Sequence, residues 1–118
     1  MALDRFVYWK SQRPTIEEIQ RCLEDYVAGL AVSVERWQDD RFGVTLPGYL
    51  SFPLTWTGLA TDAQRAAVRE LQRSRWFEVY VGSDHIDVIT RQMDEITNNV
   101  ARGFAELMAR GWDGDFKE

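Results

Sequence analysis

The run Thr15-Ile16-Glu17-Glu18 fixes where a helix begins. A threonine at the N-cap accepts from the backbone N–H three residues on, and a glutamate at that third position reaches back to the cap's own N–H. Ile16, Ile19, Leu23, Tyr26 and Val27 then recur at helical spacing, and Gly29 supplies the residue type that commonly ends a helix. A helix over 15–28 is expected, and on both sides of it the apolar period drops to two. Phe6 to Lys10 reads as a strand that Pro14 interrupts. Leu30 to Trp37 and Phe42 to Leu46 read as a hairpin around Gln38-Asp39-Asp40-Arg41.

The second half repeats this alternation. Leu50, Phe52 and Leu54 share a face, with Pro53 pointing to an edge strand or an extended loop. Thr61-Asp62-Ala63-Gln64 repeats the capping logic and predicts a helix over 61–75. Trp76 to Val81 and Ile86 to Thr90 read as strands around the turn Gly82-Ser83-Asp84. A last helix is expected over 91–110, with Met93, Ile96, Val100, Phe104, Leu107 and Met108 as its apolar stripe. Gly103 beside that stripe marks a close approach. Gly111 stops the helix, Trp112 is placed to fold back over its end, and Asp113 and Asp115 around Gly114 read as part of a frayed tail.

The expectation is one α+β domain over 1–118, ordered β-α-β-β-β-α-β-β-α. It would hold a mostly antiparallel sheet of five to six short strands, with three helices mainly on one face. Strand-helix-strand-strand at 6–46 and again at 49–90 points to a degenerate duplication.

Composition then bounds the function. Nineteen acids against fourteen bases give a net charge of -5, the opposite of what a DNA coat or a basic membrane binder needs. Cys22 is the only cysteine, which excludes an intramolecular disulfide and a cysteine zinc cage. The N-terminal residues have no apolar signal core, and no apolar run approaches the ~20 residues of a membrane span, so a cytoplasmic protein is expected. There is no glycine-rich phosphate loop, and neither Asp39-Asp40 nor Asp84 with Asp87 fits a calcium loop, so neither cofactor nor metal is expected.

His85 is the only histidine. Asp84 should point away from it on a regular strand and Asp87 should share its face, so His85 reads as a polar turn residue before it reads as a general base. Cys22 lies mid-helix, far from an N-terminus that would favour its thiolate, and reads as a half-buried small hydrophobe.

What remains is surface. Glu17, Glu18, Glu24 and Asp25 crowd the solvent side of the first helix. Arg65, Arg69 and Arg73 form a ridge on the helix expected over 61–75. Among the aromatics, Tyr8, Trp37, Tyr49, Trp56 and Tyr80 are candidates for exposed anchors. These features favour a non-catalytic protein-binding module, in the manner of a small acidic inhibitor of the bacterial or phage immunity or anti-defence kind. Its contact residues would be Glu17, Glu18, Glu24, Asp25, Trp37, Arg65, Arg69 and Arg73. The expected partner is another protein, with a homodimer as a further expectation, no membrane, and nucleic acid only through the arginine ridge. The alternative is a small-molecule module with an aromatic pocket between sheet and helices.

Overall fold

The computed structural model describes residues 3–30, 33–46, 75–91 and 95–118. In chain order these form β1 (Leu3–Trp9), α1 (Ile16–Val27), β2 (Ser33–Gln38), β3 (Arg41–Leu46), β4 (Arg75–Val81), β5 (His85–Thr90), α2 (Glu95–Gly111) and β6 (Gly114–Lys117). The fold is α+β: one six-stranded antiparallel sheet in the order β2-β3-β4-β5-β1-β6, with two helices among the described residues.

Helix α1 starts as its sequence dictates. Thr15 Oγ1 accepts from the Glu18 N–H at 3.1 Å, and Glu18 Oε1 accepts from the Thr15 N–H at 3.0 Å. At the other end Gly29 adopts a φ of 81°, a conformation in which a Cβ would be strained. Ile19, Leu23 and Val27 form the buried stripe.

Strand alternation divides the sheet into two unlike faces. One carries Val7, Ile86, Val88, Phe77, Val79, Phe42 and Val44, all without exposed surface and all in one core cluster with Ile19, Leu23, Phe104 and Met108 of the helices. Both helices cover this face, and Tyr26 of α1 is joined to α2 by a bond from its hydroxyl to the Val100 carbonyl at 2.9 Å. The Tyr26 hydroxyl occupies the space that a Cβ at Gly103 would need, which accounts for the close approach expected there.

Three expectations need correction. The buried stripe of α2 is Thr97, Ala101, Phe104, Ala105 and Met108, whereas Ile96 is 52% and Leu107 37% exposed. The rotation follows from a buried arginine. Arg5 on β1 is 2% exposed beneath α2, and its guanidinium donates to Thr90 Oγ1 at 3.2 Å and Asn98 Oδ1 at 3.1 Å. Polar and small residues therefore face the sheet, because a buried charge needs acceptors.

The residues after α2 are not a frayed tail: they form β6, which pairs with β1 from Phe6–Lys117 to Trp9–Gly114. Asp113, at φ 52°, turns the chain into it. Glu118 then lies 3.5 Å from Arg5 Nε and 2.5 Å from Arg102 Nε, so the terminus helps neutralise the buried cation.

The third helix, expected over 61–75, and the strand expected at 50–54 lie outside the described residues. The duplication has no support, since its second copy would open in those same residues and β3 pairs directly with β4 in one continuous sheet. No helix among the described residues is long and apolar enough to cross a membrane.

Candidate interaction surface

The second face of the sheet carries no helix among the described residues, and its side chains fall into rows set by the strand register. One row reads Lys117, Phe6, Asp87, Tyr80, Arg41 across β6, β1, β5, β4 and β3. The next reads Asp4, Ile89, Glu78, Gly43, Glu35 from β1 to β2. Beyond the first, Asp115, Tyr8 and His85 lie side by side.

The β2–β3–β4 end is built around Glu78, which is buried at 3%. Two arginines answer this carboxylate: Arg41 Nη2 lies 3.0 Å from Oε1, and Arg91 Nε lies 2.7 Å from Oε2. The Glu78 bond and charge hold the Arg91 guanidinium above its ordinary pKa. The Arg41 guanidinium also lies 4.4 Å from the Tyr80 ring centre and 5.2 Å from that of Trp37. Trp37 is 43% exposed, seats its indole on Gly43, and donates from Nε1 to Glu35 Oε2 at 3.3 Å. A side chain at position 43 would overlap that indole, so the glycine makes the seat.

The β1–β5 end is aromatic and acidic. Tyr8, 37% exposed, stacks on His85 with ring centres 5.3 Å apart and on Phe6 at 5.9 Å. The Lys117 ammonium lies 5.5 Å from the Tyr8 ring centre. His85 Nδ1 lies 2.8 Å from Asp84 Oδ1, and this bond holds the Asp84 carboxyl below its ordinary pKa. Asp84 would point away from His85 on a regular strand, but it belongs to the bend before β5, outside the regular alternation, and so reaches the imidazole. Asp87 is on the expected face. Burial, and next the hydrogen bond and charge of Asp4, push its carboxyl up to about 7, against a smaller opposing pull from His85. Asp4 carries part of this surface and was not singled out in the sequence, because its meaning depends on pairing with a strand far away in the chain.

Of the predicted contact residues that the structure describes, Trp37 alone lies on this face, together with Tyr8 and Tyr80 of the anchor candidates. Glu17, Glu24 and Asp25 are exposed on α1, on the opposite side of the sheet, and the Glu18 carboxylate is engaged in the cap. Arg65, Arg69 and Arg73 lie outside the described residues, as do Tyr49 and Trp56. Cys22 sits on α1 and His85 on the helix-free face, so the two are not neighbours. Cys22 lines instead an open cleft of about 340 Å³ between α1 and the end of α2, with Tyr26, Met108 and Trp112. No group of three or more metal-ligating side chains occurs among the described residues.

The sequence matches no family model, and no curated protein or solved structure is significantly similar to it.

Proposed function

We propose that the chain is a non-catalytic protein-binding module that recognises its partner through the second face of the sheet, which carries no helix among the described residues. The observation that carries this reading is the composition of that face. Exposed Tyr8, Trp37 and Trp76 stand among Arg41, Arg91, Lys117, Asp4 and Asp87, and Trp, Tyr and Arg are the residues that dominate binding energy at protein interfaces. The aromatics are held in place before any partner arrives, Trp37 by Gly43, Glu35 and Arg41 and Tyr8 by Phe6 and His85, which lowers the ordering cost of association. With a net charge of -5, the chain suits a partner of basic character, as expected of a small acidic inhibitor.

Affinity capture at low salt, from the cells that encode the protein, tests this. The comparison is between wild type, Trp37→Ala with Tyr8→Ala, and a control Glu17→Gln with Glu24→Gln on α1. A specific partner should be lost with the aromatic pair, by about thirtyfold or more in affinity, and kept with the control. Identical capture by all three would sink the reading.

A second reading, small-molecule binding, has one observation in its favour: the cleft beside Tyr26 and Trp112 is of ligand size. It lies between the helices, and the sheet face beneath them is packed without exposed surface at Val7, Val79 and Val88.

A further inference from the structure

We propose that Arg5 and Arg102 form a carboxylate-binding site, which Glu118 occupies from within the chain as a resident, exchangeable ligand. The site lies on the helix-covered side of the sheet. It goes beyond the reading of the opposite face and stands or falls apart from it.

The cationic half of the site is built into fixed elements. Arg5 projects from β1 beneath α2 and is 2% exposed. Its two terminal nitrogens are held: Nη1 donates to Thr90 Oγ1 on β5, and Nη2 to Asn98 Oδ1 on α2. Both acceptors are neutral, so they orient the guanidinium without cancelling its charge. Arg102, one turn beyond Asn98 on the same helix, brings a second cation to the same place. The Arg5 guanidinium lies below its ordinary pKa, through burial first and the charge of Arg102 next, against an opposing pull from Glu118. A fold that draws two like charges together around a buried group needs an anion between them.

The anionic half comes from a marginal element. Glu118 follows β6, a four-residue strand that is joined, among the described residues, to β1 alone. One of its oxygens serves both cations: Oε1 lies 2.5 Å from Arg102 Nε and 3.5 Å from Arg5 Nε. The fit is uneven. At Arg5 the contact is an ion pair without a hydrogen bond, and the buried Nε–H is left without an acceptor. A carboxylate not tethered to β6 can set one oxygen on each guanidinium. The Glu118 side chain is 46% exposed against 2% for Arg5, so the way from solvent to Arg5 runs through the place that the Glu118 carboxylate holds. A tethered ligand acts at a high effective concentration, on the order of millimolar or above, and so keeps free carboxylates out until it is removed.

The test removes the resident ligand. The full chain carrying Glu118→Ala is melted in sodium acetate and, at equal concentration, in sodium chloride, and its arginine Nε–H resonances are followed by NMR. Acetate should raise the Tm of this variant saturably, by about 5 °C at tenfold above the half-saturating concentration, which should fall at roughly 1–100 mM. The Arg5 and Arg102 Nε–H resonances should shift along the same curve. Wild type should show no acetate-specific gain over this range, because Glu118 fills the site. Arg102→Gln added to Glu118→Ala should weaken acetate binding by about tenfold. An equal gain in chloride, an equal gain in wild type, or undiminished binding after Arg102→Gln would each overturn the proposal. If Glu118→Ala is unfolded in chloride, acetate should restore the fold, and a chain that stays unfolded in acetate would overturn it equally.

Discussion

A carboxyl held protonated in the fold has a thermodynamic signature that can be read without any partner. In the unfolded chain Asp87 ionises near its ordinary value, about 3.9, whereas in the fold burial and Asp4 keep its proton up to about 7. Well below about pH 3.9 both states hold the proton, and this group does not influence stability. As pH climbs toward 7 the unfolded state loses the proton first, so the native state loses stability, and the loss is complete above 7. Asp87→Asn removes this term. Melts of the two proteins should nearly coincide at about pH 3 and diverge at about pH 8, where the variant should be more stable by on the order of 1 kcal/mol, a figure reduced for the half-exposed position. That corresponds to a few degrees in a domain of this size. A gap that is the same at both pH values would show that Asp87 and Asp4 do not share a proton.

Helix α2 separates two readings of one sequence. Its apolar residues point to a stripe through Met93, Ile96, Val100, Phe104, Leu107 and Met108, but the buried stripe runs through Thr97, Ala101, Phe104, Ala105 and Met108, so that Phe104 and Met108 are shared and Ile96 and Leu107 are not. Phe104→Ala should cost about 3–5 kcal/mol, whereas Ile96→Ala should fall within about 0.5 kcal/mol of wild type. Asn98→Ala, which removes an acceptor from Arg5 Nη2, should cost about 1–3 kcal/mol although no apolar surface is lost. Urea midpoints at unchanged slope would measure all three, and a large cost at Ile96 would restore the simpler stripe. The same comparison shows what was legible. Helix α1 was, because its cap and its glycine stop are local chemistry, and the β2–β3 and β4–β5 hairpins were, because alternation and turns are local too. Strand β6 was not, since Gly-Asp-Phe-Lys becomes a strand only because β1 offers it an edge. The candidate site divides in the same way. Trp37 could be read from its strand, but the pairing of Asp4 with Asp87 and the double pairing of Glu78 exist only through register between distant segments.

At the scale of the whole molecule, the sheet has, among the described residues, an outer edge at β2 whose assembly behaviour its side chains decide. A homodimer through that edge would continue the sheet about a twofold axis perpendicular to it, with each face staying on its own side. A register centred on Glu35 then sets glutamate opposite glutamate, and one centred on Arg36 sets arginine opposite arginine; like charges directly opposite are destabilising. The register with β3 also shifts between Arg36 and Gln38, around Trp37, which bends the edge away from a flat partner. Charges and a bulge on an edge strand are the features that prevent edge-to-edge pairing. The chain should therefore run as a monomer in light scattering over a wide concentration range. Replacing Glu35 and Arg36 together by valine should introduce concentration-dependent association without loss of the fold, because both side chains are exposed. A wild-type dimer that Arg36→Pro dissolves would show instead that the β2 edge is a homodimer interface, and would shift the search for a partner from the sheet face to a second copy of the chain.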